Sequence, residues 1–199
     1  MQIVIIDYGA GNTANVKNAL EKLGARPIVS PSVREIKNAD AIILPGVGAF
    51  GAAMKRLSKK SQIITNAINS GKPFLGICLG MQLLLDKSDE SEGVNGLGII
   101  RGKVKKFKVK LPVPQIGWNK VENLRGPLFE GIDDFYAYFV HSYYCKPKDK
   151  RVIAATTKYA KSFASAFYKK NIFATQFHPE KSGKVGLKIL KNFIREVKK

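Results

Sequence analysis

The sequence predicts an α/β protein whose sheet is mostly parallel and doubly wound, with an antiparallel extension. Three observations carry this. Up to Leu85, short apolar runs alternate with amphipathic stretches of helical length, the rhythm of strand–helix–strand units. One run, Phe74–Ile77, turns into a helical pattern through Gly76-Ile77-Cys78-Leu79-Gly80, the glycine spacing of a nucleophile elbow. After the polar run Ser88–Glu92, candidate strands succeed one another with little room for crossover helices, which requires antiparallel pairing.

In chain order, residues 2–7 form an apolar strand ending at Asp7, and Tyr8-Gly9-Ala10-Gly11-Asn12 turns into a helix from Thr13 to Leu23 that Gly24 stops. The third glycine of a dinucleotide fingerprint is missing there, which argues against a nicotinamide cofactor. Pro27–Val29 is a second strand, and Ser32 with Glu35 is a capping box for a short helix. Ala41–Leu44 reads as a strand buried on both faces and runs into Pro45-Gly46-Val47-Gly48. One helix or a pair fills Gly51–Ser70, and the elbow strand follows. Strands are predicted near 103–109, 115–122, 135–140, 152–157, 163–168 and 172–177. Gly183–Val197 closes the chain as an amphipathic helix with Ile189, Leu190, Phe193, Ile194 and Val197 facing inward. With no repeat and no linker, residues 1–199 read as one domain.

Cys78 sits at the joint of the elbow. A sharp strand-to-helix turn exposes the side chain at the top of the sheet, and free N–H groups of the following helix favour thiolate and can hold an oxyanion. The pattern alone fits a core thiol between glycines equally well. A nucleophile needs a base, and only two histidines are present. His178 ends a strand in His178-Pro179-Glu180; in extended chain, residues two apart share a side, so Glu180 is placed to orient the imidazole. Cys145 lacks flanking glycines and a helix start, and reads as structural.

Composition narrows the class. No apolar run approaches the roughly 20 residues that cross a bilayer, and Met1–Asp7 reads as a strand, not a signal peptide. Two cysteines, one in an elbow, point to a reducing cytoplasm. The net charge of +19 invites a nucleic-acid reading, but 27 of the 34 basic residues are lysines scattered along the chain, without a nucleic-acid-binding motif. The densest cluster, Arg101–Lys110, alternates Lys with Val and Phe as an edge strand with a solvated face does.

Gly76-Ile77-Cys78-Leu79-Gly80-Met81-Gln82 together with His178-Pro179-Glu180 resembles the signature of the class I, triad-type glutamine amidotransferases. Four further segments resemble the glutaminase subunits of imidazole glycerol phosphate synthases: Pro45–Phe50, Gly117-Trp118-Asn119, Tyr138–Tyr143 and Gln176–Ser182. The resemblance spans essentially the whole chain. One departure is Gln115, where such subunits usually carry histidine.

The resemblance implies Cys78 as nucleophile, His178 as general base and acid, and Glu180 as its orienter. It implies an oxyanion hole from the Leu79 amide with backbone of Val47 and Gly48, and a glutamine pocket lined by Gln82, His141, Ser142 and Tyr143. Ammonia would pass to a (β/α)8-barrel cyclase subunit in histidine biosynthesis, met through Asn12, Trp118, Tyr136 and Lys181. No cofactor and no metal is implied. Glycines on both sides of Val47 would let the oxyanion peptides rotate, so the partner could switch activity on. The rivals are the glutaminase of another complex, such as the pyridoxal phosphate-forming one, and a stand-alone cysteine hydrolase.

Overall fold

The computed structural model describes residues 1–199. The parallel half contains β1 (Ile3–Ile6), α1 (Thr13–Lys22), β2 (Ile28–Ser30), α2 (Val33–Asn38), β3 (Ala41–Leu44), α3 (Phe50–Leu57), α4 (Ser61–Asn69), β4 (Phe74–Ile77) and α5 (Leu79–Leu83). Then come β5 (Lys87–Ser88), β6 (Ser91–Asn95), β7 (Gly102–Lys106), β8 (Gln115–Glu122), β9 (Phe135–His141) and β10 (Tyr143–Pro147). The chain ends with β11 (Ile153–Tyr159), β12 (Lys161–Lys169), β13 (Ile172–Thr175) and α6 (Gly183–Val197). Asn12 caps α1 by accepting from the Asn15 N–H at 3.2 Å, and Ser32 caps α2 through the Glu35 N–H at 3.5 Å.

All thirteen strands join one sheet in the order β2-β1-β3-β4-β13-β12-β10-β7-β5-β6, with β11, β8 and β9 branching from β12. The strands β2, β1, β3, β4 and β13 run parallel, and β13 meets β12 antiparallel. Alternation along the central strands divides the core. Ile3, Ile5, Ile43, Leu75 and Ile77 face α1 and α6, whereas Val4, Ile6, Ile42, Leu44 and Phe74 face α2, α3 and α4. Each fully buried Ile or Phe here contributes about 1.5–3 kcal/mol, which fixes the register because a one-residue slip would exchange the two sets between cores shaped for the other. The last helix matches its predicted bounds and buries Ile189, Leu190, Phe193 and Ile194.

One expectation changes, and three features go beyond the sequence reading. The Arg101–Lys110 cluster does not form an edge: β7 lies between β10 and β5, with Val104 in the core and Lys103 and Lys105 paired to Asp89. The polar run Ser88–Glu92 folds into the β5–β6 hairpin, and β10 is a strand that no period-2 run announced. The elbow helix α5 ends at Leu83, so it is a short helix of five residues.

Candidate functional site

The topology brings the carboxyl ends of β1, β3, β4 and β13 side by side, where open α/β sheets place their sites. Ile77 pairs with Thr175, so Cys78 and His178 emerge from neighbouring strands although they lie far apart along the chain.

Cys78 has φ 54°, the left-handed region that a side chain rarely adopts. Its N–H donates to the Thr175 carbonyl at 2.7 Å, which ties the elbow to β13. The flanking glycines are required sterically. A Cβ on Gly76 would lie 2.8 Å from the Gly80 backbone, and one on Gly80 would run into the Leu44 carbonyl oxygen. Strand β3 therefore presses on the elbow, and Cys78 lines the cavity next to it but is only 5% exposed, where the elbow pattern predicted an exposed side chain; the walls of the cavity cover it.

His178 follows β13 and opens a 3-10 turn, Pro179–Lys181. The Glu180 pairing arises from that turn, not from the extended chain that the spacing suggested. His178 Nδ1 lies 2.7 Å from Glu180 Oε1, with the two side chains 3% and 1% exposed. Nε2 is buried without a hydrogen-bond partner, free for the thiol beside it. Burial alone lowers an imidazole pKa; interaction with Cys78 and with the Glu180 carboxylate outweighs it and pushes His178 up to about 10. The backbone of His178 is also held: its N–H donates to the Tyr138 carbonyl at 3.0 Å, and Ser182 Oγ donates to its carbonyl at 2.6 Å. The same Ser182 oxygen accepts the Tyr138 N–H at 3.1 Å. Ser182 had only its place in the final motif to mark it.

Above Cys78 opens a cavity of about 370 Å³ lined by Val47, Gly48, Leu79, Gln82, His141, Ser142 and Tyr143, among others. The predicted oxyanion and substrate residues thus share one space. Gln82 Nε2 donates to the Tyr143 carbonyl at 3.1 Å and to Gln176 Oε1 at 3.2 Å, and Gln176 Nε2 lies 3.7 Å from the Cys78 sulfur. This buried amide chain binds the cavity wall to Cys78; Gln176 carried no assigned role in the sequence. His141 Nδ1 lies 2.7 Å from the Tyr143 carbonyl, so Nδ1 carries the proton. Burial lowers its pKa to about 4 and keeps it neutral. Glu90, also on the cavity wall, accepts the Phe50 N–H at 2.7 Å. It lay unremarked in the polar run, where only the β5–β6 hairpin reveals its direction.

The Pro45–Gly48 segment, where the resemblance places the oxyanion strand, is in one defined orientation. The Leu79 N–H donates to the Gly46 carbonyl at 3.4 Å. Because C=O and N–H of a trans peptide point opposite ways, the Val47 N–H faces away from Leu79. Gly48 has φ +94° and Val47 is 45% exposed.

Trp118 and Tyr136 stand exposed on the outer face of β8 and β9, with Trp118 opposite Tyr138 and their rings 6.3 Å apart. Lys181 Nζ sits 5.6 Å over the same Tyr138 ring, which also neighbours the His178 ring at 6.4 Å. Asn12 starts α1, which packs against the Pro179–Lys181 turn. Gln115 is fully buried, donating to Asn119 Oδ1 at 2.8 Å and paired in register with His141, so its departure falls inside the sheet and not on its outer face. Cys145 is buried in the core, and burial pushes its thiol well up. No helix is long and apolar enough to cross a membrane.

The family model for class-I glutamine amidotransferases matches residues 4–197. The chain is 51% identical to the imidazole glycerol phosphate synthase subunit HisH of Pyrococcus furiosus, over 98% of both chains. It is 50% identical to the protein of that name from Methanocaldococcus jannaschii, over 96% of this chain and 98% of the relative. In fold it resembles the crystal structure of a glutamine amidotransferase from Thermotoga maritima, with TM-score 0.67, 18% identity, and coverage of 100% of this chain and 82% of the other. A second solved glutamine amidotransferase superposes with TM-score 0.79 at 18% identity, over 98% of this chain and 99% of the other.

Proposed function

The chain belongs to the class-I glutamine amidotransferase family, and from that premise we propose that it is the glutaminase subunit of an imidazole glycerol phosphate synthase, with Cys78, His178 and Glu180 as its catalytic triad. The observation that carries the reading is the strained Cys78 at φ 54°, facing a His178 that Glu180 orients at 2.7 Å, under a cavity of amino-acid size.

The chemistry follows from the geometry. The Cys78 thiolate attacks the side-chain amide carbon of glutamine, and the carbonyl π electrons move onto oxygen. N–H groups of Leu79 and the Val47–Gly48 backbone receive that oxyanion. His178 hands its proton to the amide nitrogen, the C–N bond breaks, and ammonia departs from a thioester. Water, losing a proton to His178 Nε2, then attacks the thioester carbon and releases glutamate and the thiolate. The Glu90 carboxylate suits the ammonium end of the substrate, and the Ser142–Tyr143 backbone its remaining polar groups.

In this reading the Pro45–Gly48 segment is the oxyanion strand in its resting form. The Gly46 carbonyl occupies the Leu79 N–H, and the Val47 N–H points away. Losing one oxyanion donor costs roughly 100- to 1000-fold in turnover, so the isolated chain is nearly idle. Rotation of the Gly46–Val47 peptide supplies the missing donor. A (β/α)8-barrel cyclase docking on Trp118, Tyr136 and Lys181, beside Asn12, biases that rotation and receives the ammonia. Two free, buried cysteines suit a cytoplasmic setting.

The test is glutamine turnover by the chain alone, with the cyclase, and with the cyclase plus its nucleotide ligand, alongside Cys78→Ala. Stepwise activation and a dead Cys78→Ala are expected. Equal rates in all three conditions would remove the synthase role.

A further inference from the structure

Tyr8 follows β1 and is only 5% exposed. Its hydroxyl donates to the Pro45 carbonyl at 3.0 Å, the bond that reaches from the β1–α1 turn to the oxyanion strand. Gly46 is closed in from several sides. A Cβ there would meet Tyr8 Oη at 2.5 Å and Leu79 Cβ at 2.8 Å, and a Cβ on Gly11 would lie 3.3 Å from the Pro45 carbonyl group. The Pro45–Gly46 peptide is therefore fixed by a buried donor and by contact. The next peptide, Gly46–Val47, is held only by the 3.4 Å bond from Leu79, and leads to the exposed Val47.

A single peptide can rotate cleanly between two orientations only if the peptide before it stays still. Reversing Gly46–Val47 changes ψ of Gly46 and φ of Val47, and the donor arrives at the oxyanion only if Gly46 Cα keeps its place. We propose that the Tyr8 hydroxyl is the pivot of the oxyanion strand: it pins the Pro45 carbonyl so that rotation is confined to the Gly46–Val47 peptide. This makes Tyr8 a positioning residue that never touches substrate, and the inference rests on the glutaminase reading above. Burial, reinforced by the Cys78 charge, raises the Tyr8 pKa, so the phenol remains a donor throughout the working pH range.

The experiment compares wild type with Tyr8→Phe, which keeps the ring and deletes the donor, both assayed in complex with the cyclase. Misplacing a catalytic group by about 1 Å costs up to roughly 100-fold, so kcat for glutamine falls by about ten- to a hundredfold while KM stays within about twofold. Glutamate γ-semialdehyde forms a hemithioacetal whose oxygen enters the oxyanion hole, and its affinity falls by the same factor as kcat. Alkylation of Cys78 by iodoacetamide needs the thiolate but no oxyanion hole, and its rate is unchanged. p-Aminophenylalanine at position 8 restores a donor on the same ring and recovers kcat. Unchanged kcat in Tyr8→Phe overturns the proposal, as does a loss of kcat that alkylation shares or that the amino analogue fails to rescue. Wild-type complex that does not hydrolyse glutamine, or Cys78→Ala that does, would instead overturn the glutaminase reading itself.

Discussion

Replacing Glu180 by Gln removes a negative charge from the interior while keeping the side chain's shape. The amide oxygen can still accept from His178 Nδ1, so the tautomer that leaves Nε2 facing the thiol survives. What is lost is charge assistance in a 2.7 Å bond between side chains 3% and 1% exposed. Hydrogen bonds to charged groups contribute about 1.5–3 kcal/mol and neutral ones about 0.5–1.5 kcal/mol. The difference, about 1–2 kcal/mol, corresponds to a loss of about five- to thirtyfold in kcat. His178 is pushed up to about 10 partly by this carboxylate, so the alkaline limb of the pH–rate profile should also move to lower pH. The assay is glutamate release by the activated complex from acid to alkaline pH. A loss beyond roughly a thousandfold would mean that Glu180 takes part in proton transfer, and an unchanged rate with an unmoved alkaline limb would mean that it does not orient the base.

Three more outcomes follow from the geometry. Iodoacetamide should label Cys78 ahead of Cys145, whose thiol burial pushes well up; mass spectrometry showing Cys145 modified first in the folded protein would contradict the elbow. Gly80→Ala should abolish turnover and lower the melting temperature sharply, since its Cβ runs into the Leu44 carbonyl oxygen; a variant with wild-type melting would show that β3 does not press on the elbow. His178 has a folded-state pKa above its ordinary 6.5, so its contribution to stability is complete below that value and is lost as pH rises through about 10. Urea midpoints that fall more steeply across this window in wild type than in His178→Asn, where only other groups such as the buried Cys145 still titrate, would verify it, and equal slopes would refute it.

Much of this protein was legible locally. The glycines around Cys78 and the Glu180 two residues from His178 are short-range constraints, set by backbone sterics and side-chain reach. The unbroken apolar run of β3 marked it as buried on both faces, and the apolar stripe of α6 told which side of that helix is buried, because such patterns are properties of the segment itself. The Glu180 geometry was right in its pairing and wrong in its backbone, a 3-10 turn where extended chain was expected.

Which strands become neighbours is another matter. That β13 lies against β4, bringing His178 to Cys78, follows from closing the sheet over the whole chain, and no window of sequence contains it. The same holds for β7, whose lysines suggested an edge until β10 and the β5–β6 hairpin covered both sides of it. Gly46 and Val47 could be recognised as rotatable, but the direction of their peptide is set by the Leu79 N–H and that of the preceding one by the Tyr8 hydroxyl, which reach them from two other strands' ends. The residue types able to do the chemistry are written along the chain; the distances between them exist only once the core has chosen one strand order, since burial of apolar faces does not depend on sequence neighbours.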